Sequence, residues 1–191
     1  EFVDIAGLVK GAHEGAGLGN QFLARIREVD AIIEVVRAFE NSDIIHVEGN
    51  VNPQRDIETI QLELVMADLE TVNKHLVKNE KDLKSGEKHA QEEKIILEKI
   101  KSVLEAGDTA AKAKISGEEL KLVNDLHLLT LKPFLFVFNI NDKISSENIA
   151  ALSSRVNAIS AGINLAFESE LSEMDVAEAK EFKSESRLDD L

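Results

Sequence analysis

The stretch from Phe2 to Phe22 constrains the fold of this chain more than any other. A short apolar run ends in Asp4, the sequence D-I-A-G extends to Gly7, and an amphipathic run begins at Leu18 after a glycine-rich loop. An Asp at the carboxyl end of a strand can hold Mg²⁺ through a water, and a Gly can offer its bare backbone N–H to a phosphate. The order found here is a strand, an acidic residue, a glycine-rich loop and a helix. This order is typical of the switch of a nucleotide-hydrolysing domain.

The composition narrows the classes of protein to which the chain can belong. Its 191 residues allow one domain or two small ones, and a hydrophobic content of 43% is enough for a packed core. The net charge of −14 argues against nucleic-acid binding by the chain as a whole, and the absence of cysteine excludes disulfides and thiolate metal sites. The five histidines lack the spacing of metal ligands, and no apolar run approaches the ~20 residues of a membrane-spanning helix. We therefore expect a cytoplasmic protein.

Two kinds of periodicity alternate along the chain outside its middle. Short apolar runs rich in β-branched or aromatic residues predict parallel strands, and apolar stripes at helical spacing predict helices. The predicted strands are Phe2–Asp4, Ala31–Phe39, Phe134–Phe138 and Ile163–Phe167. The predicted helices are Leu18–Val29 and Ser145–Ser160, and the acidic end from Glu168 onwards is helix-prone. This alternation predicts an α/β fold with a doubly wound sheet.

The middle of the chain, from Arg55 to Thr130, has a helical pattern. Two apolar stripes give its first helix a wide apolar face, and the second stripe comprises Leu62, Val65, Leu69, Val72 and Leu76. Ser85-Gly86 is predicted to be the tip of an antiparallel hairpin, and Ser116 with Glu119 forms a capping box for a later helix. No heptad pattern persists beyond about three repeats, which argues against a free-standing coiled coil. We therefore predict three segments, 1–54, 55–130 and 131–191, of which the second is a helical insertion.

The switch stretch resembles the second switch of the Obg-related P-loop NTPases, and most closely that of the YchF type, the Obg-like ATPases. Three further stretches agree with this family: DAIIEVVRAFEN from Asp30, IIHVEGNVNPQRDIETIQLEL from Ile44 and LTLKPFLFVFNIND from Leu129. The resemblance implies a P-loop NTPase sheet of the G-domain type, built from segments 1–54 and 131–191. It also implies a ribosome-associated enzyme that hydrolyses ATP, or GTP, with Mg²⁺ and acts as a switch in translation or stress regulation.

The sequence lacks the phosphate loop of such an enzyme, because G-x-x-x-x-G-K-[S/T] occurs nowhere in it. The chain also opens on Glu1, directly before an apolar run. We therefore expect a fragment whose upstream part held the phosphate loop, and which also lacks the small C-terminal TGS domain of the family. The phosphate loop supplies most contacts to a triphosphate, so we expect this fragment alone to be inactive.

The resemblance bears on three residues of the switch region and on Glu34 in the strand that follows it. Asp4 would orient Mg²⁺ through a water, and Gly7 would sense the γ-phosphate. Leu8 stands where many relatives of Ras carry a water-orienting Gln, and the family shares this hydrophobic substitution, which implies slow intrinsic turnover. Glu34 stands where the family usually carries a His, a candidate catalytic group. A Glu can position water, but it would add negative charge near the phosphates. It is an equal alternative that Glu34 is an ordinary strand residue at a solvent-exposed edge.

Base recognition would fall on Asn139-Ile140-Asn141-Asp142, which follows the third predicted strand. The resemblance assigns base contacts to Asn139 and Ile140. Guanine-specific relatives have N-K-x-D and the Obg-like ATPases N-x-x-E, so Ile140 opposes guanine while Asp142 leaves it open. Ala166 is the nearest match to the small-residue turn of the family's second base loop.

Five lysines cluster around the predicted hairpin tip: Lys74, Lys78, Lys81, Lys84 and Lys88. A solvated helical tip explains them, and a contact to RNA phosphates is the sharper interpretation, in agreement with the ribosome association of the family. Two alternatives to an ATPase also stay open. The first is a guanine-specific Obg-type GTPase, and the second is a non-enzymatic helical adaptor that retains an NTPase scaffold.

Overall fold

The computed structural model describes residues 1–5, 18–41, 44, 46, 49–141, 146–154, 156 and 158–186. This part of the chain contains the strands β1 (Ile32–Arg37), β2 (Phe134–Asn139) and β3 (Ile159–Ile163). Its helices are α1 (Leu18–Glu28), α2 (Pro53–Ser85), α3 (Ala90–Glu105), α4 (Gly117–Val123), α5 (Ser146–Ser153), α6 (Leu165–Glu173) and α7 (Val176–Ser186). Short 3₁₀ turns lie at Ala110–Ala113, Asn124–Leu126 and Leu129–Leu131. The predicted α/β class is confirmed, and no helix among the described residues is long and apolar enough to cross a membrane.

The chain forms two compact units. The helical unit comprises Glu1–Ile32 and Ile57–Pro133, and the sheet unit comprises Ile33–Asp56 and Phe134–Leu191. The predicted division into an NTPase core and an insertion, with limits at residues 54/55 and 130/131, stays a prediction.

The three strands are ordered β1-β2-β3, with β2 in the centre. β2 and β3 run parallel, in a register that pairs Leu135 with Ile159 and Asn139 with Ile163. Residues 136–138 of β2 are buried, as expected for a strand that has a neighbour on each side. The prediction of a core parallel strand at this position is confirmed.

β1 is also parallel to β2, but it is less buried than its apolar sequence predicts. Two backbone hydrogen bonds join their ends, from Ile32 N to Pro133 O (2.9 Å) and from Ala38 N to Asn139 O (2.8 Å). Ile33 is 43% exposed and Val35 is 57% exposed, whereas Val36 is buried. Successive side chains of a strand point to opposite faces, so one face of β1 is exposed in the structure while the other packs inward.

Two predicted strands are wrong. Phe2–Asp4 is not a strand, and Phe2 is 90% exposed, because an extended segment needs a hydrogen-bonded neighbour to form a strand and it has none among the residues that the structure describes. Ile163–Phe167 is mostly helix, since the Asn164 side chain accepts a hydrogen bond from Phe167 N (3.2 Å) and caps the start of α6.

The predicted helix Ser145–Ser160 is too long. α5 ends at Ser153, and the last residues of the predicted span already belong to β3. Gly162 of β3 allows α5 to pack closely, because a Cβ at this position would lie 3.0 Å from the Ile149 side chain.

The predicted helical hairpin is confirmed in the helical unit. α2 ends at Ser85, and Gly86 follows with a φ of +80°, a conformation that favours glycine at the end of a helix. Ser116 and Glu119 form the predicted capping box at α4. Leu62 departs from the predicted apolar stripe, because it is 53% exposed. The core of this unit is formed by side chains of both long helices and of the segment after them, among them Val65, Val72, Leu97, Ile100, Leu104, Val123 and Leu128.

A polar cluster joins the two helices near the tip. Asn79 of α2 is fully buried and donates hydrogen bonds to Ala90 O (3.0 Å) and to the Glu93 carboxylate (2.8 Å) of α3. The His75 ring lies 2.7 Å from the other oxygen of the same carboxylate. These contacts fix the register of the hairpin, since buried polar groups are costly unless they are paired.

A buried carboxylate joins α2 to the segment that precedes β2. Asp68 is fully buried and accepts hydrogen bonds from Leu129 N (2.8 Å), Thr130 N (2.8 Å) and the Thr130 hydroxyl (2.7 Å). The same hydroxyl oxygen accepts a hydrogen bond from Ala110 N (2.9 Å). Burial raises the pKa of Asp68, while the three donated hydrogen bonds and the Arg27 guanidinium oppose that rise.

We expect Asp68→Asn to lower the free energy of unfolding of this chain by about 2–4 kcal/mol, because an amide leaves a buried N–H facing another donor. Urea denaturation followed by circular dichroism measures the change. Asp125→Asn, an exposed substitution in the same unit, is the control and should change the stability by less than ~0.5 kcal/mol. Equal effects of the two substitutions would contradict the role given to Asp68.

Candidate functional site

The carboxyl ends of β2 and β3 bring together three of the predicted base-binding residues. Asn139 is the last residue of β2, and its side-chain oxygen accepts a hydrogen bond from Leu165 N (3.3 Å) at the start of α6. Ile140 is buried and donates its backbone N–H to Ile163 O (3.0 Å). Ala166 lies exposed in the first turn of α6. The two loops predicted to bind the base are therefore adjacent, at the edge of a parallel sheet where ligands bind in open α/β folds.

The segment after β1 borders the same edge and is fastened by Arg37. Its guanidinium donates hydrogen bonds to the carbonyls of Phe39 (3.0 Å), Ile44 (3.1 Å) and Asn41 (3.2 Å). It also lies 4.9 Å from the centroid of the Phe39 ring. Sequence reasoning missed Arg37, although a basic residue at the end of a mostly apolar strand is a signal of such a role.

Glu34 lies in the middle of β1, in the sheet unit. The residue is partly exposed, but its Oε2 atom is buried and has no hydrogen-bond partner among the described residues. Burial raises the pKa of Glu34 from 4.5 to about 8, and the negative charge of Asp56 adds to the rise. At pH 7 the carboxyl group is therefore mostly protonated, so the negative charge expected from the sequence is largely absent.

Asp56, near the start of α2, is held by two side chains, those of Arg55 and His46. One of its oxygens lies 3.0 Å from Arg55 Nη2, and the other lies 3.1 Å from His46 Nε2. Arg55 also binds Asn50, through hydrogen bonds to its side-chain oxygen (2.8 Å) and its carbonyl (2.7 Å). The segment that leads into α2 is thus ordered by polar contacts, and Asp56 lies close enough to Glu34 to raise its pKa.

Comparison with known proteins identifies the family. No family model matches the chain. The ribosome-binding ATPase YchF of Pasteurella multocida is 43% identical over 187 residues, which cover 95% of this chain and 52% of that protein. The ribosome-binding ATPase YchF of Bacillus subtilis is 45% identical over 193 residues, 97% of this chain and 53% of that protein. The chain belongs to the YchF family. It spans about half the length of the curated relatives that it matches.

A solved structure supports the same assignment. The structure of the Schizosaccharomyces pombe YchF GTPase superposes with a TM-score of 0.74 at 33% sequence identity. The match covers 91% of this chain and 50% of the other. The fold is therefore that of a P-loop NTPase of the YchF family, as predicted.

Three of the predicted site residues, Gly7, Leu8 and Asp142, lie outside the described residues. Asp4 is described and is exposed, and its role toward Mg²⁺ stays a prediction. Among the described residues no three His, Asp or Glu side chains are grouped as metal ligands. A single carboxylate that acts through water requires no such group.

The five lysines of the hairpin tip are all exposed or partly exposed. Lys74, Lys78, Lys81 and Lys84 follow one another at intervals of four, three and three residues, so they share one face of α2. Lys74 pairs with Glu70 at 2.5 Å, whereas the other tip lysines form no ion pair with a residue that the structure describes. Exposed acidic side chains, Glu80 and Glu87, lie in the same segment, so the charge of the tip is mixed.

Glu34 should make the stability of the chain depend on pH. The folded state retains a proton that the unfolded state releases above pH 4.5, so this contribution is complete below pH ~4.5 and is lost as the pH rises through about 8. We expect Glu34→Gln to abolish this part of the pH dependence and to be more stable than the wild type at pH 9, by about 1–3 kcal/mol. Denaturant titrations between pH 5 and 9 test this.

Glu170→Gln, an exposed substitution on α6 in the same unit, serves as the control. The stability of the wild type should fall more steeply between pH 5 and 9 than that of Glu34→Gln. Equal slopes would contradict the conclusion that the buried carboxyl group is neutral.

Proposed function

We propose that the intact protein is a ribosome-associated P-loop NTPase of the Obg family, which hydrolyses ATP with Mg²⁺ and acts in the cytoplasm as a nucleotide-dependent switch in translation or stress regulation. The observation that carries this proposal is the 43–45% identity, over nearly the whole chain, to proteins named ribosome-binding ATPase YchF. The adjacency of Asn139 and Ala166 at the carboxyl edge of the sheet agrees with it.

Hydrolysis would involve residues of the switch region and Glu34 of β1. Asp4 would hold Mg²⁺ through a water, and the ion would neutralise charge on the phosphates. Gly7 would sense the γ-phosphate, and the apolar Leu8 cannot orient water. Glu34, where the family usually carries a His, would be mostly neutral at pH 7 and can then donate a hydrogen bond as well as accept one.

The base would contact Asn139 and Ile140, with Asp142 and Ala166 beside them. ATP is our first choice, because Ile140 replaces the Lys of the guanine-specific motif. A guanine-specific GTPase is the second candidate. Asp142 favours it, and the Schizosaccharomyces pombe relative is named a GTPase. Hydrolysis of ATP and of GTP by the full-length protein, each measured with Mg²⁺ and with EDTA, distinguishes the two. Hydrolysis of neither nucleotide would favour a non-enzymatic adaptor.

In the full-length protein, Asn139→Ala should raise the KM for ATP about tenfold and leave kcat nearly unchanged, because a base contact contributes equally to the ground state and the transition state. Steady-state ATPase kinetics measure both parameters. Asn164→Ala is the matched control, since it removes the cap of α6 and leaves the base contact in place. A collapsed kcat, or equal effects of the two substitutions, would mean that Asn139 supports the loop instead of binding the base.

A companion substitution tests Asp142 in the same assay. If its carboxylate reads guanine, Asp142→Glu should lower the affinity for GTP relative to ATP. If the ratio of the GTP and ATP affinities does not change, Asp142 does not select the base. The GTPase alternative then loses its support in the sequence.

The ribosome would be contacted through the lysines of the hairpin tip. α2 has 33 residues, which corresponds to about 50 Å at a rise of ~1.5 Å per residue. The shared face of Lys78, Lys81 and Lys84 supports a contact with a linear array of phosphates. The neighbouring acidic side chains would limit the strength of this contact.

Replacing Lys78, Lys81 and Lys84 by Glu should weaken co-sedimentation of the full-length protein with ribosomes at least tenfold, and wild-type binding should fall with added salt. Hydrolysis without ribosomes should stay within about twofold of the wild type. The control carries the same three charge reversals at Lys101, Lys112 and Lys121, which are exposed or partly exposed elsewhere in the helical unit. If both triple variants bind as the wild type does and salt has no effect, the tip is only solvated.

A further inference from the structure

The helix that follows the switch loop in sequence is bonded directly to the helix that carries the tip lysines. Arg27 of α1 donates a hydrogen bond from Nη2 to the Thr71 hydroxyl of α2 (3.2 Å), across 44 residues of sequence. Thr71 in turn donates its hydroxyl proton to Ala67 O (2.9 Å), so the oxygen is fixed in orientation and presents a lone pair to Arg27. Both side chains are partly buried, which shields the contact from competing water.

Two further contacts close a triangle within the helical unit. Lys132 donates hydrogen bonds to Arg27 O (3.1 Å) and Val29 O (2.5 Å), and so satisfies carbonyls at the carboxyl end of α1. Asp68 binds the backbone of residues 129–130, which lie just before Lys132. The three segments are α1, α2 and the segment that leads into β2. Each of them is thus hydrogen-bonded to the other two.

The contact between Arg27 and Thr71 lies close to the proposed docking face. Thr71 precedes Lys74 by less than one turn of α2, and Lys84 lies 13 residues beyond Thr71, or about 20 Å along the helix. In the other direction along the chain, α1 begins at Leu18, 11 residues after Gly7 of the D-I-A-G sequence. A displacement of α2 can therefore reach α1 through a hydrogen bond between two side chains.

We infer that Arg27 and Thr71 are positioning residues. Through their hydrogen bond, α2 controls the position of α1, the helix that follows the switch loop. The inference rests on the proposed function. Neither residue is assigned a contact to nucleotide or to the ribosome, so their effect would lie in the coupling between the two bound partners. By linkage, the nucleotide state would change ribosome affinity by the same factor as the ribosome changes nucleotide affinity.

The experiment measures this coupling in the full-length protein. Ribosome dissociation constants are determined by co-sedimentation in Mg²⁺, once with ADP and once with a non-hydrolysable ATP analogue. In the wild type the two constants should differ by about fivefold or more, the range typical of coupled sites. Thr71→Val, which keeps the shape of the side chain but removes the hydroxyl, should reduce that difference by about threefold or more, toward a ratio of one. The KM for ATP without ribosomes should stay unchanged.

Three companion variants separate positioning from stability. Arg27→Gln should reproduce the effect of Thr71→Val, and Arg25→Gln, an exposed substitution on the same helix, should not. Thr71→Ser restores the acceptor oxygen and should retain the wild-type ratio. A merely structural contact would give equal ratios for Thr71→Val and Thr71→Ser, and this result would overturn the inference.

The outcomes for the wild type separate the inference from the function on which it rests. If the wild type binds ribosomes and hydrolyses ATP but shows the same ribosome affinity with both nucleotides, there is no coupling for Arg27 and Thr71 to carry, and the inference alone fails. If the wild type neither binds ribosomes nor hydrolyses nucleotide, the proposed function fails and the inference falls with it.

Discussion

The helical unit depends on a carboxylate that has been removed from water. Asp68 would lose several kcal/mol of hydration free energy if it were buried alone. Hydrogen bonds within the protein must therefore compensate for this loss. Two backbone N–H groups and the Thr130 hydroxyl do so, and all of them lie in a segment that has no long helix of its own to satisfy its donors. The requirement is mutual, since residues 129–130 need an acceptor and Asp68 needs donors. This mutual need fixes the distance between α2 and the segment that leads into β2.

The sheet unit positions its candidate site in a different way, through backbone groups at the ends of strands. The Asn139 side chain binds the first turn of α6, and its carbonyl accepts a hydrogen bond from Ala38 at the end of β1. The next backbone N–H, that of Ile140, is donated to Ile163 O at the end of β3. The carboxyl ends of all three strands are therefore held together without a charged side chain. Glu34, a perturbed carboxyl group of this unit, is neutralised by burial instead of being paired.

Local signals in the sequence predicted the elements whose cause is local. Ser116 and Glu119 cap their own helix within four residues, and Gly86 follows the end of α2 with a positive φ, so the capping box and the hairpin tip were predicted correctly. β3 was misplaced because the apolar run after Ile163 resembles a strand. In the structure Asn164 caps α6, so the residues after it are helical. The predicted base loops were found adjacent because parallel strands align their carboxyl ends.

Interactions between distant residues could not be predicted in this way. Asp68 in a helical stretch is indistinguishable by pattern from a solvated acidic residue, and its partners lie 61 and 62 residues away. Lys132 likewise resembles any surface lysine before a strand, yet its amine binds the carbonyls of residues 105 and 103 positions earlier in the chain. The raised pKa of Glu34 depends on burial, which a six-residue strand does not reveal by its own sequence.

The acidic character of the chain does not prevent a contact with phosphates. Fixed charges in water are screened over ~8 Å at physiological ionic strength. Lys84 lies 16 residues beyond Asp68, about 24 Å along α2, so an acidic group as far from the tip as the middle of this helix scarcely weakens the field at Lys84. What matters there is the local balance, and Glu80 and Glu87 offset part of the lysine charge. A tip of mixed charge is suited to a salt-sensitive contact of moderate strength, which is the kind of contact that the proposed function requires of it.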